Sequence, residues 1–149
     1  MGDTAGLAAT RAAVNGQKAR GWPYFQAALQ GLAAASTPEL VPVLADTFHD
    51  NAGDDETART LISGLEDNFK VKDAPEFAGF VRDFTLQSKD FGDDVKARLL
   101  QLLDDVHTPE VREALAAIEA KTESDRLKGK VQQMLAHNFP AAKAPRGGR

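Results

Sequence analysis

The sequence of 149 residues contains no cysteine, a single tryptophan, a single tyrosine and two methionines. The missing cysteine excludes disulfide staples, thiolate metal sites and cysteine nucleophiles together. Stability has to come from packing, and an apolar content of 42% is enough to build a core in a chain of one-domain length. Long apolar runs are missing as well. Nothing approaches the roughly 20 residues needed to span a bilayer, and Met1 to Arg20 contains no apolar stretch of the kind that forms a signal-peptide core. These absences predict a cytoplasmic protein with no membrane segment.

Charge is unevenly distributed. The formal charge is −4, yet Pro140 to Arg149 carries Lys143, Arg146 and Arg149 with no acid, so the rest of the chain stands at −7. An acidic body disfavours nucleic acid as the main ligand, because phosphate recognition needs a continuous basic surface. Residues 140–149 have too little apolar content to fold and read as a flexible basic tail.

What is present, above all, is repetition. Thr37-Pro38-Glu39-Leu40, Ala74-Pro75-Glu76-Phe77 and Thr108-Pro109-Glu110-Val111 are three versions of one helix start, with prolines 37 and 34 residues apart. Proline suits the first helical position because its φ is fixed and its missing N–H is not needed there, and the following Glu meets the positive end of the helix dipole. Thr37 and Thr108 are then the N-caps. The apolar stripe repeats too: Leu40, Phe77 and Val111 lie two residues after the proline, and Leu44, Val81 and Leu115 lie six after it. A second helix follows each polar link, with stripes Leu61-Leu65-Phe69, Leu99-Leu103-His107 and Val131-Leu135-Phe139. Spacing by four is the period of a helix face, and no alternating β-branched run competes with it. Within the links, Gly is expected to end one helix, and Asp or Ser to cap the next. Pro42, one turn after Pro38, predicts a bent or delayed helix start.

A less regular first unit places Leu7, Arg11 and Val14 on one helix and Phe25, Leu29 and Leu32 on another that opens at Pro23. The units run over about 3–35, 36–70, 73–106 and 107–139, and together they predict an all-α domain of about eight helices. Gly92-Asp93-Asp94-Val95-Lys96-Ala97-Arg98-Leu99-Leu100-Gln101-Leu102-Leu103 resembles the second helix of a HEAT repeat, an acidic cap followed by Val, a basic residue and a Leu stripe. Asp54-Asp55-Glu56-Thr57-Ala58-Arg59-Thr60-Leu61 is similar, with Thr57 in place of the usual apolar residue. The resemblance covers roughly residues 36–139 and implies a right-handed stack of antiparallel helix pairs, a small HEAT-like α-solenoid.

No motif commits the chain to a reaction. His49, His107 and His137 stand alone near predicted helix ends, where a helix C-terminus favours them, and lack the ligand spacing of a zinc site. The Asp-rich links do not match a calcium loop and read as helix caps. No His-Glu pair of the iron-binding HEAT-like hydroxylases occurs. No catalytic residue, metal ligand or cofactor is expected.

Surface is what remains. Trp22 and Phe25 are expected to cover the open end of the core, which leaves Tyr24 as an exposed anchor. In stacked pairs the second helices line one face, and their polar positions include Glu66, Gln101, Asp104, Asp105, Arg126, Lys130 and Gln133. That face runs from acidic to basic and suits another protein, where charge complementarity sets specificity. The expected function is a non-enzymatic protein-binding module, a small adaptor or inhibitor. One alternative is an immunity-type protein that neutralises a toxin, and another is a nucleic-acid module using Lys128, Lys130 and the basic tail.

Overall fold

The computed structural model of the protein describes residues 4–140 and is all-helical, with no strand among the described residues. Apart from Pro140, the expected basic tail lies outside the described residues. Helix α1 covers Thr4–Gly16, and a 3-10 turn over Gln17–Arg20 leads to Gly21, whose φ of 111° only glycine adopts without strain. The chain breaks there and restarts as α2, Trp22–Ala35, with Pro23 in its first turn.

Pro38 does not open an α-helix directly. Pro38–Leu40 forms a 3-10 turn, and α3 begins at Val41 with Pro42 in its first turn and runs to Asp50. The start is delayed, as the paired prolines predict. Thr37 consequently caps nothing: its hydroxyl lies 3.3 Å from the Glu39 carboxylate. Three other expected caps hold, while the Asp expected to cap the helix after the second link does not, because Gly92 takes that position and no side chain caps it. Asp54 accepts from the Thr57 amide at the start of α4, Asp55–Leu65, Thr108 accepts from Val111 at the start of α8, Pro109–Lys121, and Ser124 accepts from Leu127 at the start of α9, Asp125–Asn138. Thr57, the departure from the repeat pattern, is buried because its hydroxyl donates to Asp54 at 2.9 Å. Between these lie α6, Pro75–Gln87, and α7, Asp93–Gln101.

Nine α-helices are present among the described residues, one more than expected. The extra one is α5, Phe69–Lys72. Asn68 interrupts the chain after α4 and starts a new turn by accepting from the Val71 amide at 3.2 Å. The four-residue stripe therefore fails at Phe69, which is 46% exposed. It also fails at His107, because α7 ends at Gln101 and His107 lies exposed between helices. Glycine ends neither neighbouring helix: Gly53, at φ 80°, sits in the turn after Asn51 has closed α3, and Gly92 has extended backbone and precedes α7.

The remaining stripe positions form the core. Leu44, Leu61, Leu65, Phe77, Val81, Leu99, Leu103, Leu115 and Val131 are fully buried, and Leu40, Leu135 and Phe139 pack on them from the edge. Trp22 is half-buried, its ring edge-on to the buried Phe25 at 6.0 Å. Packing skips along the chain: α1 touches α3, α3 touches α6 and α6 touches α8, while α2 touches α4, α4 touches α7 and α7 touches α9. Side-chain hydrogen bonds follow the same rule. Arg11 to Asp46, Asn68 to Ala33, Lys72 to Asp105, Arg126 to Asp94 and Asn138 to Asp104 join residues 32 to 35 apart in sequence.

Among the described residues no helix is long and apolar enough to cross a membrane.

Candidate functional site

The ends of α4 and α7 lie side by side. Glu66 just after α4 and Lys72 on α5, with Arg98 and Gln101 on α7 and Asp104 and Asp105 just after it, line a groove of about 320 Å³ with Ile62 and Leu102 in its walls. Lys72 is the fixed charge of the groove. It is only 2% exposed, and its Nζ donates to the Glu66 carbonyl at 2.6 Å, lies 3.3 and 3.4 Å from the two Asp105 carboxylate oxygens, and sits 4.2 Å from the centre of the Phe69 ring. A buried ammonium needs such partners, and here they come from both sides of the α4–α7 junction. From α9, Asn138 Nδ2 donates to the Asp104 carbonyl at 2.9 Å and to its carboxylate at 3.0 Å, which holds the rim in place. Three carboxylates against two cations leave the groove acidic by one charge.

Four of the eight sequence-predicted partner positions, Glu66, Gln101, Asp104 and Asp105, therefore share one groove. Lys130 joins them through Gln101, whose Oε1 accepts its Nζ at 2.7 Å. Arg126 turns elsewhere and donates to Asp94 at 2.7 Å, a bond that holds the Asp94 carboxyl below the usual carboxylate range. Gln133 is exposed on α9, and Tyr24 is 51% exposed on α2 with the Arg20 guanidinium 4.2 Å from its ring centre; neither lines the groove.

The groove is lined mostly by charged and hydrogen-bonding side chains. Its carboxylates accept hydrogen bonds in set directions, and among the described residues no three His, Asp or Glu side chains converge as a cation requires. His49 and His137 lie exposed in the last turns of α3 and α9, and His107 rests edge-on against Phe139 at 6.0 Å.

Sequence reasoning missed a second concavity. Phe48 on α3, Phe80 and Phe84 on α6, and Phe91 in the following link line a cleft of about 470 Å³, with ring centroids 5.2 to 6.1 Å apart in every pair but Phe80 and Phe91. Part of the signal was visible, since Phe77, Phe80 and Phe84 recur at helical spacing. Phe48 lies 32 residues before Phe80, and only the α3–α6 contact joins them.

Comparison with known protein families, with curated proteins and with solved structures found no match to this chain.

Proposed function

We propose that this protein is a small HEAT-like stack of antiparallel helix pairs that holds another protein along the ends of its second helices. The skipping contacts and the hydrogen bonds at a spacing of 32 to 35 residues support the stack, because neighbouring repeats about 35 residues long would produce both. The observation that carries the functional reading is the groove itself. Glu66, Gln101, Asp104 and Asp105 come from two successive units and meet on one acidic surface. Such a surface selects a partner with a basic segment, and rim charges act chiefly on encounter rate and specificity. An adaptor and an inhibitor both work this way, as does an immunity-type protein facing a basic enzyme.

Affinity capture from the native lysate after nuclease treatment tests this, with the wild type compared with a Glu66→Lys/Asp104→Asn variant. Asn at 104 keeps an acceptor for Asn138 while removing the charge. One stoichiometric protein retained by the wild type and lost by a variant of equal thermal stability supports the proposal. Equal retention by both removes the groove from the function.

A further inference from the structure

Residues 4–35 contain no acid and three bases, Arg11, Lys18 and Arg20, whereas residues 36–139 carry 21 acids against 12 bases. Arg11 is engaged by Asp46 and Asp50. Lys18 and Arg20 are exposed in the 3-10 turn that leads into α2, and neither has a carboxylate partner among the described residues. Aromatic rings interleave with them. The Arg20 guanidinium lies 4.2 Å from the centre of the Tyr24 ring and donates through Nη1 to the Gln17 side chain at 3.1 Å. Lys18 Nζ lies 5.6 Å from the centre of the Phe25 ring, against which Trp22 stands edge-on. A guanidinium held on a ring in this way keeps its remaining in-plane N–H groups for a carboxylate.

The acids at the start of α4 leave this face alone. Asp54, Asp55 and Glu56 pair with neither cation. Helix α4 packs on α2 where Gly64 approaches Ala33, and Tyr24 precedes Ala33 by nine residues, about two and a half helical turns, so it lies on the opposite side of α2.

We propose that Lys18, Arg20, Trp22 and Tyr24 form a second docking surface, one that takes an acidic peptide segment of another protein. Tyrosine, tryptophan and arginine are the side chains that most often anchor interfaces. A segment with two carboxylates around an apolar side chain fits them: the carboxylates meet Arg20 and Lys18, and the apolar group rests on the rings. A nucleic-acid strand fits less well, because its regular phosphates need a longer basic track and the chain beyond residue 35 is acidic. This surface is independent of the acidic groove and opposite to it in charge, so the two select different partners.

The probe is an end-capped octapeptide of glutamate with a central leucine, titrated into the full chain at low ionic strength. Trp22 is the single tryptophan, so its fluorescence reports this face, and backbone amide shifts map the contact. The expected result is saturable one-to-one binding with shifts confined to residues 17–28, weakened by added salt. Lys18→Glu/Arg20→Glu and, separately, Tyr24→Ala each lower the affinity by about tenfold or more, the loss of an interface anchor. Thermal melts show which variants are folded, and Lys18→Gln/Arg20→Gln serves where the reversal is not. The groove variant Glu66→Lys/Asp104→Asn keeps the Trp22 response. Shifts centred elsewhere, no saturable binding, equal affinity of the folded double variant, loss of the response in the groove variant, or tighter binding of an oligothymidylate of the same length at these residues would overturn the proposal.

Discussion

The two junctions between the first and second helix pairs are held by different chemistry. Where α2 meets α4, contact is apolar and close. Leu29, Ala33, Leu61 and Leu65 are fully buried, and a Cβ built on Gly64 would lie 2.7 Å from that of Ala33, a spacing real side chains do not tolerate. Asn68 closes this junction, accepting from Val71 while its Nδ2 donates to the Ala33 and Ser36 carbonyls at 2.9 and 3.0 Å. Where α1 meets α3, contact is polar. The Arg11 guanidinium grips Asp50 through two bonds of 2.7 and 2.5 Å and reaches Asp46 at 3.4 Å, Asn15 adds a third bond to Asp50 at 2.7 Å, and Val14 is the buried apolar residue that α1 contributes. Apolar burial persists across salt and pH, whereas an exposed ion pair is screened and titrates. The apolar junction should therefore belong to the global stability of the domain, and the polar one should open locally.

Leu61→Ala should produce the largest effect, a loss of about 2–5 kcal/mol of unfolding free energy from the cavity it leaves, measured by denaturant titration. Asn68→Ala should follow at about 2 kcal/mol, because it strands the last carbonyls of α2 as well as the first amide it caps. An equal melt for this variant would deny Asn68 its joining role. Gly64→Ala opposes a helix-propensity gain of about 1 kcal/mol with overpacking of about 1–3 kcal/mol, so the net loss is about 1 kcal/mol. Ala33→Gly in the same chain should relieve the steric part, and failure to do so would place the strain elsewhere.

The smallest global effect is expected at the polar junction. Asp50 titrates below its ordinary range, chiefly through the hydrogen bond from Arg11, against an opposing contribution from burial. Its contribution is present above the ordinary carboxylate pKa of about 4 and is lost as pH falls through the lowered value. Protection factors of α1 amides, taken relative to the intrinsic exchange rate at each pH, should therefore fall on acidification while those of α2 and α4 persist. Asp50→Asn should show the lowered α1 protection already at neutral pH, with little change in melting temperature. Parallel loss of protection in α2 would break the comparison.

The acidic groove was half legible in the same sense as these junctions. Glu66, Gln101, Asp104 and Asp105 stand out as polar positions after apolar stripes, yet the groove also contains Lys72, whose helix α5 no periodicity announced. Arg126 satisfied the same sequence rule and went to Asp94 instead, because a long side chain takes the nearest carboxylate that packing presents.

Helix starts, caps and buried stripes were readable from the sequence because each rests on residues within a turn or two: a proline's fixed φ, a hydroxyl three residues before an amide, an apolar side chain every fourth position. Thr108, Ser124, Leu44, Val81 and Leu115 all behave by those local rules. Tertiary structure alone decided which surfaces meet. The Arg11–Asp50 grip, the reach of Asn68 to Ala33 and the Phe48–Phe84 contact join atoms some 30 to 40 residues apart. Those unions depend on how whole helices pack, and packing sums many weak contacts that no short stretch of sequence contains.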